Sequence, residues 1–265
     1  MDIKEIESLA KQIRIDALQM CHDAKSSHIG SCLSCADILA VLYGGVMNVK
    51  PDNPDWAERD RFILSKGHAC AALYAVLAER GFFDKSQLQD FYKNGSYFTG
   101  HANWNVRGVE VSTGALGDGL SIGCGMALAN PKSKVYVLIG DGDLNEGSTW
   151  EAALFAGYHH LGNLVVIVDH NRLQALGECR DILDLVSIEE KFVAFGWVRN
   201  RFSGHNINKL VEEFKQINEI PCRMPYCLVL DTVKGKGVSF YENRTDSHYR
   251  HPNDEELKQA LEELR

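Results

Sequence analysis

The sequence lacks the blocks of basic residues that nucleic-acid-binding proteins place against phosphate backbones. Its 28 lysines and arginines are outnumbered by 36 aspartates and glutamates, and the formal net charge is -8. Because binding to a phosphate backbone requires concentrated positive charge, nucleic acid is not expected as a partner. With 45% hydrophobic and 24% charged residues, the composition is that of an ordinary soluble globular protein.

A secretory signal and a membrane span are also not expected. The N-terminal segment 1–20 is charged and amphipathic, without the apolar centre and small-residue cleavage site of a signal peptide. No apolar run is expected to approach the roughly 18 residues that cross a bilayer. We therefore expect a soluble, cytoplasmic protein with no membrane partner.

The sequence also has little that indicates a zinc site or a disulfide framework. Among its eight cysteines, only Cys32 and Cys35 have the C-x-x-C spacing, and no second such pair matches them. His248 and His251 are likewise not framed by a pair of cysteines. The cysteines are therefore interpreted as reduced thiols that pack as small hydrophobic side chains.

Two common nucleotide-binding motifs are missing. The sequence G-x-x-x-x-G-K-[ST] does not occur, and the glycine cluster 114–123 departs by one residue from G-x-G-x-x-G. A P-loop and a dinucleotide site are therefore disfavoured.

What the sequence does contain is an alternation of short apolar runs and helical segments. Continuous runs rich in β-branched residues are typical of strands buried on both faces of a parallel sheet. We found no internal repeat or long linker, so the sequence predicts a single doubly wound α/β domain over 1–265, with a mostly parallel sheet and helices on both faces. The predicted strands are 62–64, 135–139, 164–168, 197–198 and 226–230, and the predicted helices are 3–20, 36–43, 69–80, 148–160, 188–195, 207–217 and 254–264.

The most informative segment, 135–177, contains a strand, a Gly-Asp-Gly turn, a helix, a second strand and then Asp-His-Asn. In a right-handed βαβ unit, Asp141 and Asn171 both lie at the carboxyl edge of the sheet, where such sheets bind ligands. Magnesium prefers oxygen ligands, and these two side chains with the backbone carbonyl of Leu173 supply three. The segment therefore predicts a site for Mg²⁺, or for another divalent cation such as Ca²⁺ or Mn²⁺.

The same segment is suited to a phosphate beside the metal. Gly142 lets the backbone approach a phosphate group closely. The amino end of the helix that follows would direct its free N–H groups at the anion.

A Gly-Asp-Gly turn followed about thirty residues later by Asn resembles the thiamine diphosphate signature, and the resemblance is closest to the transketolase family. Four histidines strengthen it, since each lies in a segment similar to a histidine-bearing motif of that family. The resemblance implies that His68 and His248 contact the diphosphate. It also implies that His28 and His101 act on the hydroxyl groups and the developing alkoxide of a sugar substrate, for which imidazole is suited near neutral pH. His248 is counted with them among the catalytic residues.

The segment 114–119 resembles a further motif of the family, whose backbone groups contact the aminopyrimidine ring of the cofactor. The resemblance assigns this role to Gly114 and Leu116. Four residues depart from the family pattern and leave the choice of sugar substrate open: Ile29, Ala115, Asp118 and Leu176.

Only the first domain of a transketolase is represented in these 265 residues. In the family, the glutamate that activates the cofactor lies on the following domain, so the resemblance implies a separate C-terminal subunit that carries the pyrimidine-binding domain, in an α2β2 assembly. Glu146 would face the partner's glutamate across the dimer, although a carboxylate also favours the amino end of any helix. The expected activity is transfer of a two-carbon ketol unit between ketose and aldose phosphates.

Two alternatives stay open at this stage. One is a subunit of another thiamine diphosphate enzyme, such as a 2-oxoacid dehydrogenase or a deoxyxylulose-phosphate synthase. The other is a non-catalytic protein that only binds the cofactor.

Overall fold

Five parallel strands form one sheet in the computed structural model, which describes residues 1–219 and 222–265. The strands lie in the spatial order β1-β2-β3-β5-β4, and every neighbouring pair is parallel. Their bounds are β1 (Arg61–Leu64), β2 (Val135–Gly140), β3 (Leu164–His170), β4 (Val198–Ser203) and β5 (Tyr226–Asp231). The predicted α/β fold with a parallel sheet is confirmed.

Helices alternate with these strands along the chain. They are α1 (Ile3–Asp23), α2 (Ile29–Val41), α3 (Cys70–Glu79), α4 (Asp118–Ala129), α5 (Gly147–Tyr158), α6 (Cys179–Ile182), α7 (Ile188–Ala194), α8 (Ile207–Glu219) and α9 (Asp254–Glu263). Short 3-10 turns span Gly67–Ala69, Lys85–Asp90, Asp143–Asn145 and Thr245–His248, and a π-type turn, Leu42–Val46, follows α2.

Each face of the sheet is covered by its own hydrophobic core. Because side chains alternate along a strand, Val135, Val137 and Ile139 of β2 pack against α4, α5 and α7. Tyr136 and Leu138 pack in the opposite core, with α1, α2, α3 and α8. Helices on both faces leave the carboxyl edge of the sheet as the place where loops from several strands meet.

Helix α2 begins at Ile29, seven residues before the predicted start at Ala36. All 13 of its residues are buried, so it shows no polar stripe by which its beginning could be recognised. The expectation that no apolar run approaches the length of a membrane span was also wrong. The run Ile29–Val46 has 18 residues and a mean hydropathy of 1.7, and 89% of it is buried inside the fold, as in a core helix.

Further elements also differ from the prediction, and the short helix α6 is one that was not predicted. Helix α4 was not predicted, because its glycines have low helix propensity. Strand β4 was predicted as residues 197–198 only, whereas it extends over Val198–Ser203. β4 lies at the edge of the sheet, and its sequence is largely polar. It therefore lacks the apolar run by which a buried strand is recognised in a sequence.

The glycines of α4 allow the helix to lie very close to the sheet, and substitution tests this packing. A Cβ at Gly123 would lie 2.5 Å from a methyl carbon of Val137, whereas a Cβ at Gly125 would meet nothing within 4 Å. We expect Gly123→Ala to lower the free energy of unfolding by about 1–3 kcal/mol through overpacking. The matched variant Gly125→Ala should raise it by about 0.5–1 kcal/mol through helix propensity. Urea denaturation of both variants measures the difference, and equal effects would contradict the close packing.

Candidate active site

The two side chains predicted to bind a metal lie at one edge of the sheet. Asp141 directly follows β2 and Asn171 directly follows β3, and the register pairs Gly140 with Asp169. The Asp141 carboxylate accepts hydrogen bonds from Nδ1 of His170 at 2.5 Å and from the backbone N–H of Arg172 at 2.8 Å. His170 and Arg172 flank Asn171 in the chain. These two hydrogen bonds therefore hold Asp141 against the loop that carries Asn171.

A cavity of about 250 Å³ opens at this edge, and most of the predicted site residues line it. A larger cavity, of about 450 Å³, lies between α1 and residues 85–93 and contains none of them. We take the smaller cavity as the candidate active site because chemically functional side chains from distant parts of the sequence converge on it. The predicted residues that line it are His28, His68, His101, Gly114, Leu116, Asp141, Gly142, Asn171, Leu173 and His248.

The four predicted histidines form one cluster within this cavity. The ring centroid of His28 lies 5.2 Å from that of His68, 5.8 Å from His101 and 4.8 Å from His248. His28 has left-handed backbone geometry, with φ 77°, and its N–H donates to the carbonyl of His248 at 2.8 Å. A non-glycine residue in this conformation needs such support from its surroundings.

Burial keeps all four imidazoles neutral. It lowers the pKa of His28 to about 4, with further lowering from nearby His101 and Lys234. Burial and Lys234 lower the pKa of His248 to about 3. The pKa values of His68 and His101 are also lowered, mainly by burial. Each ring therefore offers one N–H donor and one nitrogen acceptor near neutral pH.

The lowered pKa values of these four histidines predict that the stability of the fold depends on pH. Their pKa is near 6.5 in the unfolded chain, so as the pH falls below that value the unfolded state binds protons that the folded state does not. The free energy of unfolding should therefore fall between pH 6.5 and about 4.5. His248→Asn should reduce this fall, and His28→Asn should reduce it as well, since each variant removes an imidazole with a lowered pKa. Urea denaturation across this pH range measures both, and an unchanged slope in His248→Asn would contradict the assignment.

A buried ion pair forms part of the cavity wall, since Lys66 lines the cavity. Lys66, which is 1% exposed, donates to the carboxylate of Asp169, which is fully buried. Lys66 also donates to the carbonyl of Ser31 at 3.1 Å, and Asp169 accepts from Ser34 and Thr232. Burial alone would lower the pKa of Lys66, but Asp169 raises it above its usual value, so the ammonium stays charged.

A second buried lysine, Lys234, lines the cavity, and within residues 1–219 and 222–265 its hydrogen bonds include no carboxylate. It is 2% exposed, and its Nζ lies 3.2 Å from Nδ1 of His248 and 3.4 Å from the carbonyl oxygen of Leu173. Burial and the nearby charge of Lys66 lower its pKa to about 8. A cation in this position favours binding of an anionic group in the cavity.

The oxygen atoms at this edge suit a hard divalent cation. Asp141 and Asn171 are 7% and 8% exposed, and both side chains line the cavity with Leu173. Over residues 1–219 and 222–265, no group of three or more His, Cys, Asp or Glu side chains could hold a metal. A cation here would therefore use one carboxylate, one amide oxygen and one backbone carbonyl, with the remaining ligands from phosphate and water.

Two predicted features do not line the cavity. The 3-10 turn Asp143–Asn145 follows Gly142, and helix α5 begins only after it, at Gly147. The residues of α5 therefore do not line the cavity, and the expectation that the amino end of this helix faces the anion was wrong. Gly142 does line the cavity, but with an ordinary right-handed backbone. Glu146 is exposed at the start of α5, outside the cavity. Its role at an interface stays a prediction.

Comparison with known proteins identifies the family. The family described as "Transketolase, thiamine diphosphate binding domain" matches residues 6–264. The chain belongs to the transketolase family and represents its thiamine diphosphate-binding domain. That residues 1–265 form a single domain stays a prediction.

Similar proteins identify the kind of chain within that family. It is 38% identical to an apulose-4-phosphate transketolase subunit of Phocaeicola vulgatus, over 100% of this chain and 95% of that protein. It is 37% identical to a 6-deoxy-6-sulfo-D-fructose transketolase subunit of Clostridium sp. strain MSTE9, over 98% and 96%. A solved transketolase from Campylobacter jejuni superposes with a TM-score of 0.93 at 32% identity, covering 100% of this chain but 43% of that one. The prediction of an N-terminal transketolase subunit is confirmed.

Four polar residues in or next to the cavity were assigned no role in the sequence analysis: Lys66, Asp169, His170 and Lys234. A signal was present for three of them, since polar residues at or just beyond the carboxyl end of a buried strand lie at that edge of the sheet. Lys66 lies two residues after β1, and Asp169 and His170 end β3. Lys234 lies in the loop after β5, three residues beyond the end of the strand. The resemblance of this loop to a transketolase motif rested on its glycines, so the lysine was not singled out.

Proposed function

We propose that this chain is the thiamine diphosphate- and magnesium-binding subunit of a two-subunit transketolase. The complex would transfer a two-carbon ketol unit from a ketose phosphate to an aldose phosphate. The observation that carries this proposal is the convergence of three oxygen donors, a buried lysine and four neutral imidazoles on one cavity.

Asp141, Asn171 and the carbonyl of Leu173 would hold the divalent cation. Lys234 and His68 would bind the diphosphate, since both lie in the same cavity as the metal ligands. His68 is oriented for this by the Ser31 hydroxyl, 2.9 Å from its Nε2. His170 would keep the Asp141 carboxylate in place, because a hydrogen-bonded carboxylate presents a fixed oxygen to the cation.

When bound, thiamine diphosphate supplies a carbon nucleophile and an electron sink. This chain would contribute positioned imidazoles around the sugar. Because His28, His101 and His248 are neutral, each can donate one hydrogen bond to a substrate oxygen and accept one from a hydroxyl group. A neutral imidazole can also accept the proton that leaves a sugar hydroxyl as a carbonyl forms.

The partner would be a C-terminal transketolase chain that carries the pyrimidine-binding domain. Two similar proteins of almost the same length are named as transketolase subunits, whereas this chain spans about 43% of the Campylobacter jejuni transketolase. We propose an α2β2 assembly in the cytoplasm, with the exposed Glu146 at the contact between the two kinds of chain.

Gly114 and Leu116 would contact the aminopyrimidine ring of the cofactor from this chain's side of the interface.

Reconstitution of the complex tests this function. The tagged chain is captured from its native source with its partner, and the two proteins are then produced separately and mixed. With thiamine diphosphate and Mg²⁺, the mixture should transfer a ketol unit from a ketose phosphate to an aldose phosphate, and neither protein by itself should do so. The donors tested should include apulose 4-phosphate and 6-deoxy-6-sulfo-D-fructose, which are named for the two relatives.

The same assay separates the alternatives. Ketol transfer by this chain without a partner would contradict the need for one. Turnover of pyruvate but of no ketose would favour another thiamine diphosphate enzyme. Tight cofactor binding without turnover of any donor by the assembled complex would favour a non-catalytic protein.

A further inference from the structure

A charge network lies outside the cavity and outside the residues assigned above. The guanidinium of Arg14, on α1, forms two hydrogen bonds with the carboxylate of Asp37, on α2, at 3.0 and 2.6 Å. The two residues are 7% and 6% exposed. A paired arrangement of this kind fixes the position of both side chains, because the geometry of a bidentate pair is specific.

His205 extends this network to the loop after β5. Its Nδ1 lies 2.7 Å from Oδ2 of Asp37, and the backbone N–H of Val233 donates to its Nε2 at 2.9 Å. Because Nε2 accepts this bond, the ring proton is on Nδ1 and is donated to Asp37. Both ring nitrogens are therefore engaged, which makes His205 a structural connection and not a general base.

The network contacts the loop on both sides of Lys234. His205 binds the backbone of Val233, immediately before it, and Nε of Arg14 donates to the carbonyl of Lys236, two residues after it, at 3.1 Å. The backbone of the loop also bonds to Gly30 and Asn243. The long side chain of Lys234 then reaches the cavity, where a small shift of its backbone would displace the ammonium group.

We propose that His205 is a positioning residue for the diphosphate site: with Arg14 and Asp37 it fixes the backbone from which Lys234 reaches the bound anion. This inference rests on the proposed function for its effect on cofactor binding. The contact with the loop itself is independent of that function. His205 itself does not line the cavity.

The first test measures the loop directly, without cofactor. His205→Phe keeps a ring of similar size but removes both hydrogen bonds, whereas His205→Gln can still accept from an N–H and donate to a carboxylate. In His205→Phe, the Val233 amide should exchange with solvent about 10-fold faster or more, since its hydrogen bond is lost. In His205→Gln the rate should stay within about 3-fold of wild type. An unchanged rate in His205→Phe would overturn the proposed contact.

The second test measures whether the contact acts through Lys234. Titration of the full chain with thiamine diphosphate in magnesium buffer should give a dissociation constant about 10-fold higher for His205→Phe, and His205→Gln should restore most of the affinity. In a Lys234→Met background, His205→Phe should change the dissociation constant by less than about 2-fold.

Equal effects of His205→Phe in both backgrounds would show a general structural role and overturn the positioning role. So would faster amide exchange with unchanged affinity. If the wild-type chain binds no thiamine diphosphate by itself, the titration is made on its complex with the partner subunit. If that complex does not bind it either, the proposed function fails, and the exchange rate of Val233 alone decides whether His205 fixes the loop.

Discussion

Replacement of Asp141 by alanine is expected to raise the dissociation constant for thiamine diphosphate in magnesium buffer by about 100-fold or more. Asp141 is the one carboxylate among the three proposed metal ligands, so the variant removes the negative charge that holds the cation. Without the cation, the diphosphate loses the charge that neutralises it. Asp141→Asn keeps an oxygen atom but loses the charge, and we expect an intermediate affinity.

Calorimetric titration of the full chain measures this effect, and Asp231 provides a matched control. Asp231 ends β5 at the same edge of the sheet, but it pairs with Arg172 and Arg201 and does not line the cavity. Asp231→Ala should therefore change the dissociation constant by less than about 3-fold. Cofactor binding that survives Asp141→Ala would remove the proposed metal site.

Replacement of Lys66 by methionine should lower the free energy of unfolding by about 3–5 kcal/mol. Methionine has a similar length but no charge, so Asp169 would remain as a buried carboxylate without its cation. The hydrogen bonds that Asp169 accepts from Ser34 and Thr232 compensate for only part of this loss. Urea denaturation at neutral pH measures the change.

A double variant separates the buried charge from the loss of packing. In Lys66→Met with Asp169→Leu, no charge is left unpaired, and we expect part of the stability to return, although Ser34 and Thr232 lose their acceptor. Lys93→Met, which breaks an exposed pair with Asp90, should cost less than about 1 kcal/mol. A double variant as unstable as Lys66→Met alone would contradict this explanation.

The sheet and most of the cavity follow from local features of the sequence. β2 and β3 are continuous apolar runs separated by a helix, as in a βαβ unit. Asp141 and Asn171, in the polar segments just beyond the two runs, were therefore expected at the carboxyl edge of the sheet. The four histidines could be grouped only through the resemblance to transketolases. Nothing in their spacing indicates that residues 28, 68, 101 and 248 share one cavity.

The features that were missed depend on contacts between distant parts of the chain. Lys66 and Asp169 are 103 residues apart, and neither has a local pattern that predicts an ion pair. Helix α4 forms despite its glycines because tertiary packing against the sheet outweighs their low helix propensity. The start of α2 was missed because complete burial removes the periodic polar stripe on which the prediction of helices depends.

The proposed function depends above all on Asp141, Asn171 and Leu173 holding a divalent cation against the diphosphate of the cofactor. A crystal structure of the full chain with thiamine diphosphate and Mn²⁺, with the anomalous signal of manganese recorded, would show directly whether they do. We predict a single strong manganese peak bound by the side-chain oxygens of Asp141 and Asn171, the carbonyl of Leu173 and the phosphate oxygens. A peak elsewhere, or cofactor bound without these three residues, would contradict the proposed site.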